Sequence, residues 1–315
     1  MSQLKGGKFS KIRIPSKNPD YYLVQALIYH GAKCRIYKCF DIKSRKVVTI
    51  KSVYKKANSF EMEQEVRILK ILRGGPNICF ILDAFERRRG FTCLVYEYAE
   101  SEKWDDIYKV LTGTEIEFII YKLLDALIFC HQRNIMHRDI HPENLMICRR
   151  RESVVLIDWK SATFYRPQKF YNCRVGSLHY RSPEMLLDYP KYDLATDIWS
   201  VGCIMAGALF RVRQLFYGEN SQRQLESIVH FLGSDDFVEY LNKYSIPQPS
   251  IPFIFRKRTD FRSYVRVDLR GKADNQGLDL LNQILVYDPQ KRLTAYDAFC
   301  HPYFDDYSEY MSTIY

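Results

Sequence analysis

The chain has 315 residues, 47% hydrophobic and 27% charged, and 47 basic against 37 acidic side chains leave a formal charge of +10. That length gives one large domain or two lobes with enough interior to fold without disulfide or metal staples. Nine cysteines without a C-x-x-C spacing read as buried free thiols in a reducing compartment, not as zinc ligands or disulfides. The first residues lack the apolar core of a signal peptide, and WSVGCIMAGALF at 199–210 is too short to span a bilayer. An intracellular protein of the cytoplasm or nucleus, away from membranes, is the expectation.

In chain order, residues 1–20 form a polar, basic arm containing Gly and Pro. Residues 21–30, 34–40 and 46–53 are rich in β-branched and aromatic side chains and predict three successive strands. Residues 59–72 follow helical spacing through Phe60, Val66, Leu69 and Leu72, with Ser59 as N-cap and GGP at 74–76 as the stop. Two more strands are predicted at 78–85 and 91–99, joined by the basic turn Arg87–Arg88–Arg89. Beyond residue 99 helices dominate, beginning with a helix over 115–132 that is apolar on more than one face and therefore buried. Short strands at 145–148 and 154–158 flank a second basic turn, Arg149–Arg150–Arg151. A strand-rich front and a helical rear give an α+β class divided near residue 99.

One constellation points to chemistry. HRDIHPEN at 137–144 holds Asp139 and Asn144 five residues apart in a turn-forming segment, and Asp158 ends the apolar run VVLID. A carboxylate that takes a hydroxyl proton, plus an amide oxygen and a second carboxylate for divalent ions, is what phosphoryl transfer requires. Lys51, on the predicted strand VVTIK, precedes Glu65 on the predicted helix by fourteen residues. A strand lysine fixed by a helix carboxylate pairs phosphate oxygens in the same chemistry. Downstream, SPE at 182–184 fits the A-P-E position, and Arg292 is the expected ion-pair partner of Glu184.

This order of motifs over residues 21–304 resembles the protein kinase family. LRGGPN at 72–77, Asp158–Trp159, FYGENSQRQLESI at 216–228 and DYPKYDLATDIWSVGCIMAGALFR at 188–211 resemble its casein kinase II catalytic (alpha) subunits. The resemblance implies a bilobal fold. An antiparallel-sheet N-lobe with one main helix would span 21–98 and a mostly helical C-lobe 99–304, between the arm at 1–20 and a tail at 305–315. It also implies ATP or GTP with Mg2+, transfer to Ser or Thr of acidic protein substrates, and an alpha2beta2 tetramer with a dimeric regulatory beta subunit. By the same resemblance Asp139 is the catalytic Asp, Asn144 and Asp158 hold metal, and Lys51 pairs Glu65. Tyr96 is the gatekeeper and Glu97 and Ala99 the hinge. Ile28, Tyr29, Gly31, Ile36, Val48, Met146 and Ile157 surround the nucleotide.

The sequence also departs from that pattern. Of the glycine-rich loop only Gly31 remains, in Ile28–Tyr29–His30–Gly31–Ala32–Lys33–Cys34–Arg35–Ile36. Weaker or differently clamped nucleotide is the expectation, with Lys33 and Arg35 supplying charge. His141 stands where the family has a catalytic-loop Lys; with a reference pKa of about 6.5 it predicts slower chemistry that improves in mild acid. Lys160 replaces a Gly and is expected to hold its loop in one state. The helix of Glu65 keeps Lys55 and Lys56 but is otherwise acidic, while Arg174 and Arg181 remain as anion-binding candidates and Leu178 replaces a third Arg. An acidic residue next to the target hydroxyl is therefore expected to matter more than acidic residues farther along. Thr163, Ser161 and Ser177 offer no clear phospho-switch, so constitutive activity is expected. A pseudokinase scaffold is the alternative. Nucleic-acid binding through the two arginine triplets is a third reading, disfavoured because turns usually carry solvated charge.

Overall fold

The structure, a computed structural model, describes residues 20–54, 59–87, 91–250, 256–269 and 273–307. Residues 1–19 of the N-terminal arm, Lys55 and Lys56, Arg88 and Arg89, the Ser59 and Arg87 side chains and the residues beyond 307 lie outside them. The chain divides into two compact units. One runs to Arg73 and resumes over Cys79–Tyr98; the other holds Gly74–Ile78 and the residues from Ala99 on.

The first unit is built on β1 (Tyr22–His30), β2 (Cys34–Asp41), β3 (Lys46–Tyr54), helix α1 (Ser59–Ile71), β4 (Ile81–Arg87) and β5 (Phe91–Glu97). The strands form one antiparallel sheet in the order β1-β2-β3-β5-β4. Alternation along a strand sends successive side chains to opposite faces. On one face Cys39, Val48, Ile50, Phe85, Cys93 and Val95 close into a buried cluster. On the other, Lys51 stands opposite Ile36 and Leu94, and Thr49 opposite Lys38 and Tyr96.

Helix α1 buries Met62, Glu65, Val66, Ile68 and Leu69. Phe60, expected on that apolar stripe, is instead 70% exposed; two positions before Met62, it lies roughly 200° around the helix from it. Strand β4 begins at Ile81 rather than at residue 78, because Ile78 bridges Leu156 within the second unit.

The second unit is mostly helical, completing the α+β class expected of the sequence. Its elements are α2 (Trp104–Ile107), α3 (Gly113–His131), β6 (Ile135–Met136), β7 (Leu145–Cys148), β8 (Ser153–Leu156), β9 (Thr163–Phe164), α4 (Pro183–Leu186) and α5 (Ala195–Phe210). After them come α6 (Ser221–Leu232), α7 (Asp235–Lys243), α8 (Leu278–Ile284) and α9 (Ala295–Phe299). A reciprocal cap between Thr112 and Glu115 starts α3 two residues earlier than its apolar pattern announces. Helix α5 is buried on every side from Thr196 to Phe210. Arg292 meets Glu184 through two bonds of 3.0 and 3.2 Å, with both side chains at zero exposure, as the sequence suggested. All nine cysteines are free thiols. Among the described residues no helix is long and apolar enough to cross a membrane.

Candidate active site

In the first unit the fourteen-residue spacing resolves into an ion pair. Lys51 Nζ donates to both Glu65 carboxylate oxygens at 3.1 Å, with side chains 13% and 3% exposed. Tyr96 Oη donates to Glu65 Oε1 at 2.8 Å, a contact the motif does not reveal. Such a bond to a charged acceptor contributes about 1.5–3 kcal/mol. Tyr29 pairs with Ile36, and Ile36 with Lys51, so the register aligns these three across the sheet. Val48 does not join them. It points to the opposite face and is 1% exposed within the closed cluster, so it is core and not a nucleotide wall. Thr49 occupies the position on the face of Lys51, as the period of two dictates. Ile28 and Tyr29 are exposed, Gly31 sits in the β1–β2 turn, and Glu97 is exposed at the end of β5. Ala99 opens the second unit.

The second unit brings Asp139, Asn144 and the Asp158 turn together. The β7–β8 hairpin pairs Leu145 with Leu156, so Asn144 and Ile157 face each other just beyond it, joined by Ile157 N–H to Asn144 O at 3.0 Å. Asn144 Nδ2 donates to the Asp139 carbonyl at 2.8 Å, turning its amide oxygen outward from that bond. Pro142 opens the short 3-10 turn Pro142–Asn144 that holds this geometry. Asp139 Oδ1 accepts from Ser177 N–H at 2.9 Å and lies 3.4 Å from His141 Nε2. His141 Nδ1 meets Glu143 Oε2 at 2.7 Å, and this hydrogen bond holds the Glu143 carboxyl below its usual range. His141 therefore stands between two carboxylates.

Beneath the turn, Asp197 accepts from His131 Nε2, His137 N–H and Arg138 N–H at 3.0, 2.8 and 2.8 Å. Burial pushes its pKa up, but these hydrogen bonds and the nearby histidines outweigh burial and hold it below the ordinary value. Asp139 N–H donates to His137 Nδ1 at 3.3 Å, so the ring proton sits on Nε2 and faces Ile157 O at 3.0 Å. Burial lowers the pKa of His137, consistent with this neutral tautomer. Arg138, at φ +65°, donates Nε to Ser161 O at 2.7 Å and Nη1 to Tyr192 Oη at 3.0 Å.

Asp158 does not end a strand; β8 stops at Leu156, and Asp158 adopts a left-handed conformation (φ 60°, ψ 65°) that starts the 3-10 turn Trp159–Ser161. Trp159 anchors that turn at zero exposure, its Nε1 donating to Leu156 O at 3.2 Å and its ring meeting His137 edge-on at 4.7 Å. Lys160 Nζ lies 2.6 Å from Asp158 Oδ2. Among the described residues no three His, Cys, Asp or Glu side chains form a metal cage. Asn144 and Asp158 nevertheless fit an ion that takes the rest of its ligands from phosphates and water, as Mg2+ does. Met146 and Ile157 share the half-buried face of the hairpin, while Leu145, Ile147, Val154 and Leu156 are buried on the other.

The two anion candidates differ. Arg174 is exposed and 3.5 Å from Asp188. Arg181 turns inward, giving Nε and Nη2 to Gly176 O at 3.1 and 2.7 Å, and burial lowers its pKa. Gly176 has φ +73°, and a Cβ there would sit 2.3 Å from the Arg138 carbonyl oxygen. Gly176 and Ser177 thus position Asp139, and the only signal for them in the sequence was the Gly–Ser pair. The second arginine triplet is neutralised locally: Arg149 by Glu102 and Glu115, Arg150 and Arg151 by Glu100. Residues 22–304 match the family model described as Protein kinase domain.

Proposed function

This chain belongs to the protein kinase family, and on that premise we propose that it transfers the γ-phosphoryl group of ATP to Ser or Thr hydroxyls of acidic proteins. In this reading it is a divergent relative of casein kinase II catalytic subunits. The observation that carries it is the Asp139 carboxylate, held by the Ser177 N–H in the turn that also carries Asn144 and adjoins Asp158. Asp139 accepts the proton of the attacking hydroxyl, and Ser177 fixes the direction in which its carboxylate does so. Lys51, held by Glu65 and Tyr96, neutralises phosphate oxygens. Asn144 and Asp158 are the proposed Mg2+ ligands. Held by these two side chains, Mg2+ would supply positive charge that offsets the charge of the phosphates. Arg138 already directs Nε to Ser161 O and Nη1 to Tyr192 Oη, which supports activity without phosphorylation of the segment after Asp158. Exposed Arg174, Lys169 and Lys191 favour acidic substrates. A dimeric regulatory beta subunit is the proposed partner, by resemblance alone.

The test is incorporation of phosphate into an acidic Ser/Thr peptide, with ATP or GTP and Mg2+, by the full chain and by Asp139→Asn. A fall of about 10²–10⁴-fold in the variant is expected; equal incorporation would overturn the assignment of Asp139. The second reading, a nucleotide-binding scaffold without turnover, has the Lys160–Asp158 contact on its side. Nucleotide binding by the unmodified chain without any peptide phosphorylation would select it.

A further inference from the structure

The turn that carries Asp158 brings its own cation. Lys160 Nζ sits 2.6 Å from Asp158 Oδ2, with the two side chains 51% and 20% exposed. The placement is built in. Trp159 is locked between Leu156 O and the His137 ring, and Ala162 N–H closes the turn onto Trp159 O at 3.1 Å. Lys160 therefore leaves the backbone two residues after Asp158 in a right-handed turn, and its four-carbon stem returns a compact ammonium to the carboxylate.

We infer that Lys160 is a tethered counter-cation for Asp158, neutralising the carboxylate when no divalent ion is present and being displaced when one binds. An ammonium and a divalent ion repel each other strongly at contact distance and cannot share one carboxylate oxygen. The pair is partly solvated, so its own strength is modest and a doubly charged ion can displace it. The consequence is large because the protein's share of the metal site is small. With no cage of three or more His, Cys, Asp or Glu side chains among the described residues, Asn144 and Asp158, from two adjoining turns, are the proposed donors, and Lys160 occupies one of them. The chain then binds divalent metal more weakly than its donors alone allow. It also retains nucleotide better than expected when metal is removed, because the Lys160 ammonium adds positive charge beside Asp158. The Lys160–Asp158 contact is seen directly; the metal and nucleotide consequences both rest on the phosphotransfer reading, which makes Asn144 and Asp158 the metal ligands.

The test is calorimetric titration of the full chain with MnCl2 in the absence of nucleotide. Lys160→Met, which keeps length and loses charge, is expected to tighten Mn2+ binding by about 3- to 10-fold. Lys160→Arg is expected to stay near the unmodified chain, and Asp158→Asn to lose Mn2+ binding in either background. In EDTA, binding of a fluorescent ATP analogue is expected to weaken about 3- to 10-fold in Lys160→Met. Equal Mn2+ affinity for the unmodified chain and Lys160→Met, with both melting at the same temperature, overturns the inference. Failure of every variant to bind nucleotide with or without metal counts against the phosphotransfer reading, while the MnCl2 titration still decides the role of Lys160.

Discussion

The Asp139 turn of the second unit, proposed as catalytic, and the β1–β2 turn of the first are both short loops expected to face substrate, yet they are held to very different degrees. Around Asp139 nearly every polar group has a fixed partner: Ser177, Asn144, His137 and, through Arg138, Asp197 and Tyr192. The β1–β2 turn is closed by Gly31 N–H to Cys34 O at 3.0 Å and flanked by Tyr54 N–H to Lys33 O at 3.3 Å, and its residues Ala32 and Lys33 are exposed. Proton transfer depends on the position of one oxygen, whereas phosphate attraction depends mainly on charge nearby. A loop of the first kind tolerates little change. One of the second kind can lose glycines and gain Lys33 and Arg35.

The same substitution at two glycines tests this contrast, and the larger effect belongs to Gly176. Gly176→Ala would place a methyl 2.3 Å from the Arg138 carbonyl oxygen on a backbone at φ +73°, and both obstacles are main chain. A loss of about 1–3 kcal/mol in denaturant unfolding is expected. Ser177 N–H would move away from Asp139, and displacement of a catalytic group by about 1 Å lowers kcat on the order of 100-fold. Unchanged kcat would show that the Ser177 contact does not position Asp139.

Acid should find the same turn first. The folded pKa of Asp197 lies below its unfolded value, since burial, which raises it, is outweighed by the His131 and backbone hydrogen bonds. Its contribution is complete above the unfolded pKa of about 4 and is lost as pH falls through the folded value. The three tryptophans, Trp104, Trp159 and Trp199, all lie in the second unit, so their emission reports that unit. A thermal midpoint by tryptophan emission that falls below about pH 4, and falls less in Asp197→Asn, is expected; identical acid profiles would remove Asp197 from the account.

How much of this was legible depended on whether a relation is local. Asp139 and Asn144 lie in one turn and Glu184 and Arg292 match motif positions, so spacing and residue type sufficed. Lys51 and Glu65 lie on different elements, but their motif fixed both. The Val48 assignment failed although the period of two was there to read, since Thr49 and not Val48 alternates onto the face of Lys51. Phe60 failed because one apolar residue near a helix start does not fix the angle of the stripe. Ser177 and the Tyr96 hydroxyl were out of reach, because their roles arise from contacts 38 and 31 residues away along the chain. Tyr96→Phe isolates one such contact. It removes a bond of about 1.5–3 kcal/mol to a charged acceptor, part of which Lys51 retains. Nucleotide KM is expected to rise several-fold with a smaller change in kcat; no change in KM would reduce Tyr96 to a packing residue.

The smallest effect is expected at the other glycine. The three atoms nearest a Cβ on Gly31 all belong to the Tyr29 side chain, its hydroxyl at 2.6 Å and ring carbons at 2.7 and 2.9 Å. Tyr29 is 53% exposed, so its ring can swing into solvent by a χ1 rotation without moving backbone. Gly31 is not among the positive-φ glycines, and at such a position Gly→Ala stabilises by about 0.4–1 kcal/mol through the unfolded chain. Displacing Tyr29 opposes that gain, and the two should leave Gly31→Ala within about 1 kcal/mol of the unmodified chain. A loss comparable to that of Gly176→Ala would mean that the β1–β2 turn is held as firmly as the catalytic one, and that its missing glycines were replaced by equally fixed geometry and not by charge.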